Sequence, residues 1–116
     1  YSLALSDKGQ VLSWVDSKGV QEVLGLKEFT IKKIATAGSF TGCFALDDKG
    51  ILWAFALDPS RYLPWKGTKE KPFEVNSQGA LKNKVVRNFE AGGEHALILT
   101  TDNLVMVYGR YNYDYC

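Results

Sequence analysis

An all-β fold of repeated four-stranded units, set side by side as propeller blades, follows from three observations. A strand, tight turn, strand pattern occurs three times, over residues 1–14, 42–55 and 95–108, and the copies align without a gap. Apolar residues alternate with a period of two almost throughout, and no stretch carries a helical period. Ala4, Ala45 and Ile98 fall in one column, 41 and 53 residues apart, close to the ~40 to 50 residues of a propeller blade.

The turn position is the most informative column. It holds Gly9, Gly50 and Asn103, and glycine is the residue freest to adopt positive φ, with asparagine next. A two-residue hairpin turn is therefore predicted in each copy. Around the first turn, Leu3 and Leu5 alternate with Ala4 and Ser6, Asp7-Lys8-Gly9 interrupts, and Val11, Leu12 and Trp14 resume, which is a hairpin signature. Residues 15–30 form a connector with Gly19, Gly25 and an apolar group of Val20, Val23, Leu24 and Leu26, whose conformation the pattern leaves open.

Residues 31–38 line up with residues 85–92, Ile31 opposite Val85, and each segment feeds the hairpin after it. Both are predicted as additional strands. Residues 56–83 form a longer, loop-like connector with Pro59, Pro64 and Pro72, in which Lys71-Pro72-Phe73-Glu74-Val75 is predicted as an edge strand, proline being harmless at its start. The copies are bounded at about residues 1–30, 31–83 and 84–116. One thin sheet cannot bury both faces, and propellers close with roughly four to eight blades. The chain is thus expected to be two to three blades of an incomplete propeller, its open faces covered by material outside it; the absence of a starting methionine fits that expectation.

Composition excludes several functions. The 14 basic and 13 acidic residues are mixed along the chain, leaving no basic stripe for a nucleic-acid backbone. No apolar run approaches the ~20 residues of a membrane-spanning helix, so membrane insertion is not expected. Cys43 and Cys116 do not make a disulfide framework. Cys43, inside a strand pattern, reads as a buried thiol and Cys116 as incidental, which suits a reducing, intracellular setting, whether cytoplasm, cytoskeleton, nucleus or mitochondrion.

No catalytic or metal-binding constellation emerges. His95 is the sole histidine, and Glu94 beside it points to the opposite face of an extended chain. Cys43, His95 and Cys116 are too few for zinc. Asp7 and the pair Asp47-Asp48 fall in turns, where aspartate bonds nearby backbone amides. Gly92-Gly93 precedes no helix and so is no phosphate cradle. Lys32, Lys33 and Arg87 read as the solvated face of two equivalent strands. No enzyme activity and no cofactor are expected.

Strands ending in Ala37-Gly38 and Ala91-Gly92, the segment Gly93-Glu94-His95-Ala96-Leu97-Ile98-Leu99, the glycine turn, and strands ending on Trp14, Phe55 and Tyr108 form a recurring unit. In these features the sequence resembles the regulator of chromosome condensation repeat family, whose seven-bladed propellers use units of about fifty residues. The glycine that follows the aromatic survives only as Gly109, with Val15 and Ala56 in the other copies. The family's Gly-Gln-Leu-Gly hallmark is missing, unless Val20-Gln21-Glu22-Val23-Leu24-Gly25 is a decayed version. The resemblance implies one of two roles: many members are adaptors within larger proteins or assemblies, and some are nucleotide exchange factors for Ran-type small GTPases. No residue here matches a catalytic motif of the family.

One loop carries a positive signal. Between its prolines, the connector holds Arg61, Tyr62 and Trp65, residue types that anchor protein interfaces. These side chains either meet a partner or fold back over their own blade. In the tail, Tyr111, Tyr113 and Tyr115 would share one face of an extended segment, and either pack into a neighbouring blade or face a partner. The expected function is a non-catalytic protein-interaction scaffold, bound to other proteins or to remaining blades of its own chain. The alternative is guanine nucleotide exchange on a Ran-type small GTPase.

Overall fold

A computed structural model describes residues 2–14, 19–37, 42–56, 68, 70–77, 79–92 and 95–109. These residues form ten strands: β1 (Ser2–Leu5), β2 (Val11–Trp14), β3 (Val20–Glu22), β4 (Ile31–Ala37), β5 (Gly42–Asp47), β6 (Leu52–Ala56), β7 (Phe73–Glu74), β8 (Val86–Ala91), β9 (His95–Thr100) and β10 (Val105–Gly109). Short 3-10 turns occupy Leu24–Leu26, Val75–Ser77 and Gly79–Leu81, and no α-helix occurs among the described residues. The strands make three antiparallel sheets of consecutive strands, β1-β2-β3, β4-β5-β6-β7 and β8-β9-β10. Among the described residues, only the second sheet has the four strands expected of every copy.

The sheets stack face to face through two apolar layers. Val11, Val23 and Leu26 of the first unit meet Ile31, Cys43, Ala45 and Phe55 of the second. On its other face the second sheet sets Phe44, Leu46, Leu52 and Ala54 against Val86, Phe89, Ala96, Ile98 and Met106 of the third. A sheet covered on both sides buries consecutive residues, whereas one covered on a single side buries alternate ones. Residues 43–47 of β5 are accordingly all buried, while β2 and β9 alternate buried with more open positions.

The hairpin loops differ from the expected two-residue form. The Ser6 N–H donates to the Gln10 carbonyl and the Gly9 N–H to that of Ser6, and the same pair of bonds recurs at Asp47/Ile51 with Gly50 and at Thr100/Leu104 with Asn103. Each is a three-residue loop, a turn closed from residue i to i+3 and then one left-handed residue. Only the third loop residue has positive φ, +80° at Gly9, +85° at Gly50 and +67° at Asn103.

The strand alignment also needs a correction of one residue. Ile31 pairs with Asp47, and Val86, not Val85, pairs with the equivalent Thr100. Ile31 and Val86 are buried while Val85 is 45% exposed, because a slip of one residue exchanges the two faces of a strand. Both strands have a register shift just after that residue, so Lys32 and Arg87 sit at matching irregularities. The predicted edge strand shrinks to Phe73–Glu74, since Val75 turns into a 3-10 turn. The connector whose conformation was open supplies β3 and another such turn.

Asn76 ties the longer connector down. Its amide donates to the carbonyls of Gly50 (3.1 Å) and Lys84 (2.8 Å), and its Oδ1 accepts from the Leu52 N–H at 2.8 Å. Asn76→Ala removes all three bonds and takes from the buried Leu52 N–H its side-chain acceptor, and is expected to cost about 1–3 kcal/mol. Thermal unfolding of the variant measures the loss.

Candidate functional site

The side chains nominated from sequence, Arg61, Tyr62, Trp65, Tyr111 and Tyr113, lie outside the described residues, as does Tyr115. What the structure does build is a repeated junction between neighbouring sheets, made by each of the first two hairpin loops and the start of the sheet that follows it.

Each loop is first fixed from within by an oxygen-bearing side chain. Ser6 Oγ accepts from the N–H groups of Lys8 and Gln10, and Asp47 Oδ1 accepts from those of Lys49 and Ile51 at 2.9 Å. In the third copy Thr100 Oγ1 accepts from the Leu104 N–H. The residue doing this is thus the one before the loop, whereas Asp7 and Asp48 are exposed. Ser6, Asp47 and Thr100 share a column, which was the available signal. Asp47 is buried, and its Oδ2 also accepts from Trp53 Nε1 at 3.1 Å. Trp53 in turn packs against Phe29, ring centroids 4.7 Å apart and planes tilted by 37°.

The fixed loop then reaches the next sheet. The Gly9 carbonyl accepts from the Ile31 N–H (3.1 Å) and the Gly50 carbonyl from the Val86 N–H (2.8 Å). In return the second loop donates Asp48 N–H to the Thr30 carbonyl, and the third donates Thr101 N–H to the Val85 carbonyl, both at 2.9 Å. Backbone bonds therefore run from loop to strand start to loop across all three sheets. Glycine at the loop permits the close approach: a Cβ on Gly9 would lie 2.9 Å from Thr30 Cγ2, and one on Gly50 2.2 Å from Val85 Cγ1.

Side chains add a second link. Lys33 of β4 reaches β8, donating to Asn88 Oδ1 (2.7 Å) and pairing with Glu90 Oε1 (2.9 Å), with its Nζ 5.1 Å from the centre of the Phe89 ring. Lys32 and Arg87 are exposed as the sequence suggested, but Lys33 is a cross-sheet clasp. In the third copy Asp102 accepts from Lys84 Nζ at 2.6 Å and from the Thr100 hydroxyl. The Lys84 hydrogen bond, then that of Thr100, hold its carboxyl below the ordinary 3.8. A carboxylate with a lowered pKa stabilises the fold above its unfolded pKa and loses that contribution as pH falls through the lowered value. Asp102→Asn is expected to remove this part of the acid sensitivity, read as a smaller drop in melting temperature from pH 5 to pH 2.

The outer face of the third sheet is open. Leu97 is 49% and Val105 50% exposed, whereas Phe44 and Leu52, in the same columns of the second sheet, are fully buried. Leu97, Leu99 and Val105, with Asn88 and Glu90 beside them, line a shallow, largely apolar depression there. Cys43 is buried, and burial pushes its thiol up to about 12. His95 lies on β9. No cluster of three or more metal-ligating groups occurs among the described residues, nor a helix long and apolar enough to cross a membrane.

No family model matches the sequence, and no curated protein does. Solved structures do. The crystal structure of human WBSCR16 superimposes with a TM-score of 0.65 at 18% identity, over 92% of this chain and 31% of that one. The chain thus spans less than a third of that protein's length and shares its fold.

Proposed function

We propose that this chain is a segment of a β-propeller of the regulator of chromosome condensation kind, acting as a non-catalytic interaction scaffold within a larger protein or assembly. The observation that supports this most is the repeated junction: three sheets are joined by the same loop-to-strand bonds, and the third leaves open the face that the second buries. Such units hold their surface loops rigidly, and loops on a rigid stack are where binding residues concentrate. The contact surface is the loop of Arg61, Tyr62 and Trp65, with Tyr111 and Tyr113.

The triple replacement of Arg61, Tyr62 and Trp65 by alanine is expected to abolish capture of partner proteins without lowering the melting temperature. Undiminished capture contradicts the choice of surface. A nucleotide-release assay with Ran-type GTPases is expected to show only the spontaneous rate, and clear acceleration contradicts the scaffold role.

A further inference from the structure

Two junctions inside the chain follow one rule, and the third loop stands ready to repeat it. At each, a loop carbonyl faces the N–H of a buried aliphatic residue that opens the next sheet, Gly9 to Ile31 and Gly50 to Val86. Immediately before that residue stands Thr30 or Val85, whose carbonyl is taken by the following loop. The third loop has the same internal bonds, and Asn103 the same left-handed backbone. Around it, Leu97, Leu99, Val105 and Val107 fall in the columns of Phe44, Leu46, Leu52 and Ala54, the face by which the second sheet receives the third.

Asn103 breaks the pattern in one respect, because it carries a Cβ. The corresponding Cβ on Gly9 would lie 2.9 Å from Thr30 Cγ2, and on Gly50 2.2 Å from Val85 Cγ1, against 3.1 Å and 3.3 Å from the backbone nitrogens of Ile31 and Val86. The severe conflict is with the branched side chain; the backbone conflict yields to a shift of a few tenths of an ångström.

Resting on the stacking proposed above, we infer that the open face of the third sheet seats a further unit of the same repeat, whose opening strand donates an N–H to the Asn103 carbonyl and is preceded by glycine, alanine or serine instead of threonine or valine. Proline is excluded at the donating residue, which must supply that hydrogen. Asn103 thereby selects which unit can follow, since one opening as the second or third does would strike its side chain.

The test uses the intact protein with Cys116→Ser, comparing maleimide labelling at Val105→Cys with labelling at Lys82→Cys, which lies on an exposed turn. Labelling at Val105→Cys is expected to be at least about tenfold slower in a monomer, because a covered face reacts only through opening. Labelling at the control rate overturns the inference and the stacking together. Protection seen only when the protein dimerises also overturns it, by assigning the face to a second copy. A structure of the intact protein reads the remaining point: a small residue next to Asn103 is expected, and threonine, valine or anything larger there overturns the inference while leaving the stacking intact. Should Val105→Cys fail to fold, Leu97→Cys is read in the same way.

Discussion

In the 116-residue chain taken alone, Phe44→Ala is expected to lower stability by about 3–5 kcal/mol, while Leu97→Ala, in the same column but on the face left for a further unit, changes it by no more than about 0.5 kcal/mol. Phe44 lies between two sheets with no exposure, its ring tilted against Phe89 at 6.0 Å between centroids. Removing it leaves a cavity that sheets on both sides hold open. In this chain Leu97 meets solvent across about half of its surface, so its truncation there leaves no enclosed void. Denaturant titration of both variants separates the cases. Equal losses would mean that the column does not mark a junction.

Gly50→Ala is expected to cost about 2–4 kcal/mol, from left-handed backbone strain of roughly 1–2 kcal/mol and the overpacking of Val85. A control isolates the first contribution. Gly79 also has positive φ, +69°, but a Cβ there would meet nothing within 4 Å, so Gly79→Ala is expected to cost only about 1 kcal/mol. The second contribution is tested by adding Val85→Ala. Val85 is 45% exposed, so that change alone costs little, yet combined with Gly50→Ala it is expected to recover about 1–2 kcal/mol as non-additivity between touching sites. Strict additivity would place the cost of Gly50→Ala in the backbone alone.

Much of this architecture was legible because period two is a strong signal and the loop column repeats. Gly9, Gly50 and Asn103 announced positive φ correctly, yet their loops proved to be three residues long, since nothing local distinguishes a left-handed third loop residue from a left-handed turn centre. The alignment of Ile31 with Val85 slipped by one because Lys32 and Arg87 sit where the register shifts, and an irregularity of this kind blurs the alternation on which alignment depends. Lys33 read as a solvated lysine because its partners, Asn88 and Glu90, stand more than fifty residues away on another sheet. Asn76 gave no sign of its role for the same reason: two of its three bonds go to residues more than twenty positions earlier. The residues nominated for contact with other proteins, Arg61, Tyr62, Trp65, Tyr111 and Tyr113, fall outside the described part of the chain, so their role rests on residue type.

Backbone bonds from loop to strand start are what join successive sheets here, and amide hydrogen exchange reads them one by one. The Ile31 and Val86 amides stand at the very beginning of their strands, where protection would ordinarily be weak. With Gly9 and Gly50 as acceptors, both should exchange as slowly as amides in the middle of β5. Exchange at the rate of a free loop amide at either position would show that its junction is not closed in solution.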